Sequence, residues 1–482
     1  MNGRLRSTLA AFLVALFCLL PLAEIDAKEL GKNLDKTQIA AIKGILGEES
    51  VKNAKVSIQV VNLITGKTLY SHNPQNLVIP ASTNKVVSGA AAIDILGPDY
   101  RFKTKVYYDG SLSPDGTLTG NLYIKGGGDP SMNLEQAWLL AHRIRSHGVL
   151  KVTGKLIGDE SFLDSVRHYA EWGKVGTRAY HAPLGALSVN YNTIGVYVAP
   201  GAVKGATANA ILDPETSLYT LENHLTTSAG GRERIAMSLR DKHAVVSGQI
   251  PLGAKGRAYY RSIDDPLPFA LSVFERFLNT EGVTVAQGYA GGTVPDNAQL
   301  LLVSKSKPLS LIIRDLYRNS NNFTAEQTAR TLGAETLGVP GTQQKAAQAI
   351  TNWLTKKKLI QPGVNISDAS GLSRENKQSA GTLVNVLSYM WNKPEVAPEY
   401  IDAMAIGGKD GTLSHRFRKT SLTGRVRAKS GLLWGVITLA GYAYDSDGTP
   451  YAFAVMVNDY AKNASARDVQ LVAERLLDVM MK

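Results

Sequence analysis

Pro80-Ala81-Ser82-Thr83-Asn84-Lys85 opens a stretch that runs on through Val86-Val87-Ser88-Gly89-Ala90-Ala91-Ala92-Ile93-Asp94-Ile95-Leu96 and stops at Gly97-Pro98. Val86, Val87, Ala90, Ile93 and Leu96 recur at helical spacing, which predicts a helix with one apolar face, ended by the glycine-proline pair. Positions i and i+3 share a helix face, so Lys85 falls one turn from Ser82. A serine hydroxyl is a poor nucleophile unless a base sits within hydrogen-bond reach, and a helix start adds backbone N–H groups and the positive end of the dipole. The pattern is weak by itself. It recurs with Ser304 and Lys307, where Pro308 argues against a helix start, and Ser82 alone reads better as an ordinary N-cap.

Working outward, residues 35–46 predict an amphipathic helix on Ile39, Ile42 and Leu46, and residues 56–64 and 67–71 flank Thr65-Gly66 as a hairpin. From 102 to about 300 the texture is short alternating runs, such as 104–108, 118–124, 151–157, 194–198, 244–250 and 258–261, parted by Gly, Asp and Pro. Helices are expected there only near 134–147 and 266–280. Helical periodicity returns at 309–318 and 324–337, and the chain reads as largely helical from 371 to 425. Residues 426–444 and 451–458 read as adjacent strands, and 464–481 as a closing helix. The run Lys356-Lys357-Lys358 reads as a solvated helix end. The two ends of the chain thus form one α/β unit, and the β-rich middle is an insertion.

Two further motifs follow the first in order. Ser320-Asn321-Asn322 sits in the turn between two helices, where Ser320 can relay a proton and Asn322 can hold a substrate amide, or where the group merely caps the second helix. Ser-x-Asn also occurs at Ser71, Ser131 and Ser188, so it says little alone. Lys429-Ser430-Gly431 opens an apolar strand; Gly431 would let a substrate backbone approach the strand edge, and Lys429 and Ser430 would meet a carboxylate. Lys-[Ser/Thr]-Gly occurs once in the chain.

The 482 residues suggest about three domains. With 44% hydrophobic and 20% charged residues the composition is that of a globular protein, which excludes low-complexity disorder, collagen and a polytopic membrane protein. Arg4 and Arg6, an uncharged run over 9–23 and Ile25-Asp26-Ala27 predict an export leader, residues 1–27, cut after Ala27 or Ala23. The run is shorter than the ~20 residues of a membrane span. The single cysteine, Cys18, would leave with it. Periplasm or cell envelope is the expected destination. The net charge of +12 favours anionic partners; export makes nucleic acid an unexpected one, which leaves peripheral association with an anionic envelope, with a merely solubilising surface as the alternative. The eight histidines show no spacing that points to a metal site.

Ser-x-x-Lys, Ser-x-Asn and Lys-[Ser/Thr]-Gly in this order resemble the motif set of penicillin-binding proteins and serine β-lactamases. The long gap between Lys85 and Ser320, filled by the β-rich insertion, resembles the class C low-molecular-mass penicillin-binding proteins of DacB type, D-alanyl-D-alanine carboxypeptidase/endopeptidases. Further landmarks are Ile124-Lys125-Gly126-Gly127-Gly128-Asp129-Pro130, Gly158-Asp159-Glu160, Asp368-Ala369-Ser370-Gly371-Leu372-Ser373-Arg374 and Lys409-Asp410-Gly411-Thr412-Leu413. The resemblance implies a fold of α/β (α+β) class: a β-lactamase/DD-peptidase-like transpeptidase domain, an antiparallel sheet flanked by helices, over 28–97 and 301–482. It also implies an inserted domain over 98–195 and 285–300, with a third nested at 196–284. It implies a serine acyl-transfer hydrolase for D-Ala-D-X bonds of peptidoglycan, blocked by β-lactams and working with no metal or cofactor. In it Ser82 is the nucleophile, Lys85 the base, and Ser320 and Lys429 return the proton. Asn322 holds the donor amide, the N–H groups of Ser82 and Leu432 form the oxyanion hole, Ser430 binds the terminal carboxylate, and Gly431 and Leu432 complete the substrate-binding strand. Asp159 and Arg374 are expected to hold the amine and carboxylate of a diaminopimelate side chain. One departure stands out: the family's Lys-Thr-Gly-Thr is here Lys429-Ser430-Gly431-Leu432, which predicts weaker removal of a terminal D-Ala than cleavage of cross-links. A β-lactamase and a non-catalytic penicillin-binding module are the competing readings.

Overall fold

The computed structural model describes residues 33–482; the expected leader, with Cys18, Ala23 and Ala27, lies outside the described residues. Two separated parts of the chain build one six-stranded antiparallel sheet. Its order is Ala405–Ile406, Val426–Leu433, Val436–Tyr444, Pro450–Asn458, Lys55–Asn62 and Thr68–His72. The N-terminal strand enters between its own hairpin partner and the C-terminal strand, with Ile58 opposite Val455. Strand alternation sends the two faces of the central strands into different cores. Ala440, Tyr442, Ala452, Ala454 and Met456 pack on the helices Asn84–Leu96 and Ala380–Trp391. Ile437, Leu439, Phe453, Val455 and Val457 pack on Lys36–Leu46 and Ala466–Met480. The alanines on the first face leave room for helices to lie close against the sheet.

The residues expected as one strand over 426–444 are two strands joined by a tight turn at Trp434-Gly435, with Leu433 opposite Val436. The apolar run crosses the turn unbroken, so the sequence pattern hides it. The stretch 371–425 is less helical than expected: Ala380–Trp391 and Ala397–Asp402 are helices, but Ala405–Ile406 is an edge strand and most of the rest is turns. Asn84–Leu96 is not amphipathic in place. Every residue from Asn84 to Ile93 is buried, because this helix runs through the middle of the helical layer. Small residues permit this: a Cβ at Gly89 would lie 2.3 Å from the Tyr317 hydroxyl.

The insertion leaves after Phe102 and returns through Gln299–Lys305, which pairs with Lys103–Tyr108. A five-stranded sheet (Tyr289–Gly291, Leu156–Asp159, Leu122–Lys125, Lys103–Tyr108, Gln299–Lys305) and a four-stranded one form its outer part. Two three-stranded sheets, the first centred on Thr193–Ala199 and the second on His243–Pro251, form the nested part. The strand Gln299–Lys305 straddles the edge expected at 300, and the helix Pro266–Thr280 packs on the outer strands and on Leu134–Ser146, while its Phe269 also meets Tyr219 of the nested part. One buried apolar cluster, including Ile124, Leu140, Val196, Val246 and Phe274, runs through both parts.

A segment of the insertion then lies along the helix Asn322–Leu337. The fully buried Arg330 pairs with Asp164, and Gln327 Nε2 donates to the Gly185 carbonyl at 2.6 Å. Tyr169, Ala182 and Leu184 pack on Phe323. Among the described residues no helix is long and apolar enough to cross a membrane.

Candidate active site

Ser82 sits in a single 3₁₀ turn, Ala81–Thr83, that runs directly into the helix Asn84–Leu96. It is no N-cap: no side chain caps this helix start. The preceding residue, Ala81, has φ +46, a left-handed conformation rare for alanine and of the kind that marks functional turns. Gly371 makes room for that turn, since a Cβ there would lie 1.8 Å from the Ala81 carbonyl oxygen.

Lys85 lies one turn on and has no solvent exposure. Its Nζ donates to Ser82 Oγ at 3.0 Å, to Asn322 Oδ1 at 2.7 Å and to the Ser370 carbonyl at 2.6 Å. All three of its donor positions are therefore used. Burial lowers its pKa to about 8, against the opposing pull of Asp368 and Glu326. Near neutral pH a usable fraction is the free amine, the form that can take a proton from Ser82.

The second motif divides its labour. Ser320 ends the helix Leu309–Asn319 in a left-handed conformation, and Asn321 caps the next helix by accepting from Thr324 N. Asn322 is thereby free to face Lys85, while its Nδ2 donates to the Tyr180 carbonyl of the insertion at 3.2 Å. On the third motif, Lys429 is fully buried and donates to the Ser430 carbonyl at 2.7 Å. Burial, and then repulsion from Lys85, hold its pKa well below the ordinary lysine range. Ser430 Oγ donates to Thr412 Oγ1 at 2.9 Å.

Gly431 has a tighter task than expected. A Cβ there would lie 2.9 Å from the Pro80 carbonyl, 3.0 Å from Ser82 N and 2.1 Å from Thr438 Oγ1. The glycine lets the strand seat directly on the serine turn. Beyond Ala428 the strand Val426–Leu433 has a partner on one side only. With Leu433 and Val436 flanking a two-residue turn, the antiparallel alternation points the Leu432 N–H away from its partner strand, to the open edge. Ser82, Ser320, Ser430, Gly431, Leu432 and Thr412 line one cavity of about 520 Å³.

The expected pairing of Asp159 with Arg374 is not present. Asp159 is fully occluded at the end of its strand; it pairs with Lys125 at 3.1 Å and accepts from Ser161 N at 2.7 Å and Val294 N at 2.9 Å. Burial alone would raise its pKa, but these donors hold it below the usual carboxylate range. Lys125 borders a separate cavity with Glu335. Glu335 and Asn322 lie near opposite ends of one helix, about 20 Å apart at 1.5 Å per residue. Arg374 lies elsewhere, donating to the Trp434 carbonyl at the tip of the hairpin that carries Leu432. An interior carboxylate whose acceptors are filled has no opening for a ligand amine, so the Asp159 expectation is corrected.

Sequence reasoning also passed over a buried polar layer behind Lys85. Glu326 accepts from Ala369 N at 3.2 Å and Ser370 N at 2.7 Å, holding the loop whose carbonyl meets Lys85. Burial, then Asp368, pushes Glu326 up to about 8. Asp368 itself accepts from Gly371 N and Ser373 N, both at 2.7 Å, and from Trp172 Nε1 of the insertion at 2.9 Å. The spacing of Asn322 and Glu326, four residues apart on one helix face, was the available signal.

Known proteins share this arrangement of chain. Residues 38–478 match the D-Ala-D-Ala carboxypeptidase 3 (S13) family. The chain is 30% identical over 455 residues to a D-alanyl-D-alanine carboxypeptidase of Actinomadura sp. (strain R39), covering 91% of this chain and 84% of the relative. Its fold superposes on penicillin-binding protein 4 (dacB) from Haemophilus influenzae with a TM-score of 0.76 at 23% identity, over 90% of this chain and 98% of that one. A predatory peptidoglycan endopeptidase from Bdellovibrio bacteriovorus follows at a TM-score of 0.52 and 15% identity, over 89% and 93%. The chain belongs to the D-Ala-D-Ala carboxypeptidase 3 (S13) family of serine peptidases.

Proposed function

We propose that this DD-peptidase cleaves D-Ala-D-X bonds of peptidoglycan stem peptides through an acyl-enzyme on Ser82. The observation that carries the assignment is the 3.0 Å contact between Ser82 Oγ and the fully buried Lys85 Nζ. Lys85 takes the hydroxyl proton as Oγ attacks the D-Ala carbonyl. The oxyanion meets the N–H groups of Ser82 and Leu432, each such donor contributing ~3 kcal/mol to the transition state. Asn322 keeps Lys85 aimed at Ser82 and has one amide hydrogen left for the donor peptide. Ser430, with Thr412 beside it, receives the carboxylate of the leaving residue. That carboxylate favours a cationic Lys429, and the proton that Lys85 took from Ser82 returns through Ser320, beside Lys429, to the leaving amine. Water releases the acyl group, and a β-lactam, acylating the same serine, blocks the cycle.

Arg374, at the tip of the hairpin that carries Leu432, would meet the carboxylate of a diaminopimelate side chain. The leader expected at 1–27 would place the reaction in the periplasm, where the +12 charge favours the anionic envelope. For domain limits we take the catalytic unit to resume after Gln299–Lys305 and the helix Pro266–Thr280 to belong to the outer inserted unit. Incubation of the chain lacking 1–27 with purified muropeptides tests the function. Free D-Ala or split dimers by mass, lost in Ser82→Ala, are expected; products that persist in that variant contradict the proposal.

A further inference from the structure

The active-site cavity does not end at the residues that serve one D-alanine. Past Ser430, Leu432 and Thr412 it continues along His415, Arg416, Arg467 and Gln470. Its volume of about 520 Å³ falls within the ~300–1,000 Å³ of sites that enclose drug-sized ligands, far beyond what a single alanine fills.

The far wall is cationic for a structural reason. Glu474, nearly fully buried, accepts from Arg416 Nε at 2.8 Å, Phe417 N at 2.9 Å and Arg467 Nη1 at 3.1 Å. Two guanidinium groups share this one carboxylate, so the wall keeps a net positive charge. Arg416 is buried and donates again to the Gln470 carbonyl at 3.2 Å. Arg467 is 48% exposed and retains donors that face the cavity.

We propose that Arg467, with His415 and Gln470, forms a subsite for the leaving strand of a cross-linked substrate, taking a carboxylate of the second stem peptide. This rests on the reading of Ser430 as the contact for the leaving residue. In a carboxypeptidase substrate nothing follows that residue. In a cross-linked dimer a whole acidic peptide follows it and must run along this wall. The subsite thus bears on cross-link cleavage and not on release of a terminal D-Ala.

The test compares kcat/KM for a purified cross-linked dimer and for an uncross-linked pentapeptide muropeptide, in the wild type, Arg467→Gln, Arg467→Lys and Gln470→Ala. The expected result is a fall of about fivefold in the dimer-to-monomer ratio for Arg467→Gln, carried by KM and largely restored by Arg467→Lys. Rising salt is expected to lower the wild-type ratio and to leave the Arg467→Gln ratio nearly flat. Benzylpenicillin has no leaving strand, so its acylation rate reports damage to Ser82 separately. An unchanged ratio, a parallel fall in both substrates or in penicillin acylation, or a wild type that cleaves only the monomer overturns the subsite. A wild type that cleaves neither substrate overturns the proposed function itself.

Discussion

Lys85 meets three acceptors with an ammonium that has three hydrogens, and it does so where water cannot reach. Its folded pKa, about 8, lies below the ordinary lysine value because burial penalises the charged form. The base is the neutral amine, so the reactive fraction grows as pH rises through that value. The acylation rate with benzylpenicillin is therefore expected to climb toward a plateau above about pH 8, and a flat profile between about pH 6 and 9 would contradict Lys85 as the base. Glu326 is itself pushed up to about 8, so the charge that favours protonated Lys85 is complete only above that pH; Glu326→Gln, which removes it, should move the upper part of the profile to lower pH and leave the part near neutrality little changed. Leu432, 55% exposed on the cavity wall, is the other residue with a specific forecast. A lone D-alanine leaving group is held by little besides its carboxylate, whereas a cross-linked one has further contacts. Leu432→Thr should raise D-Ala release more than dimer cleavage, measured on matched muropeptides; equal gains would sink the idea.

At the scale of elements, the site is a strand seated on a helix start. The contact is made by Gly431, whose Cα lies under Pro80 and Ser82 with no space for a methyl group. Gly431→Ala should push the strand and the serine turn apart, displacing the Leu432 N–H from the Ser82 N–H. A loss of about a hundredfold in acylation rate is expected, the cost of an oxyanion donor, with the melting temperature lowered only modestly. An acylation rate near wild type would show that the strand is not seated as described. The three elements were legible because each motif sits where a period breaks: Ser82 at a helix start, Ser320 between two helices, Lys429 at the head of an apolar run. What was not legible depends on neighbours distant in sequence. Val436–Tyr444 is buried on both faces, so its hydropathy gives no alternation and hides the turn at Trp434-Gly435. Asn84–Leu96 has one apolar face in sequence, yet tertiary packing buries its whole circumference to Ile93.

In the whole molecule the insertion does more than separate Lys85 from Ser320. It returns to the catalytic unit with Tyr180 on Asn322, Trp172 on Asp368 and Asp164 on Arg330. The polar layer around Lys85 is thereby closed by residues from the insertion, and the Asn322 side chain is held from both sides. The sequence could place the insertion but not these contacts, and position along the chain could not tell that Asp159 is sealed inside it. The central claim remains the pairing of Ser82 with Lys85 in an open cleft. Intact-mass analysis of the protein after incubation with benzylpenicillin, followed by peptide mapping, tests it most directly. The account predicts one adduct of the mass of the opened β-lactam on the peptide containing Ser82, absent in Ser82→Ala and formed far more slowly in Lys85→Met. An adduct on another residue, or one that persists in Ser82→Ala, would contradict it.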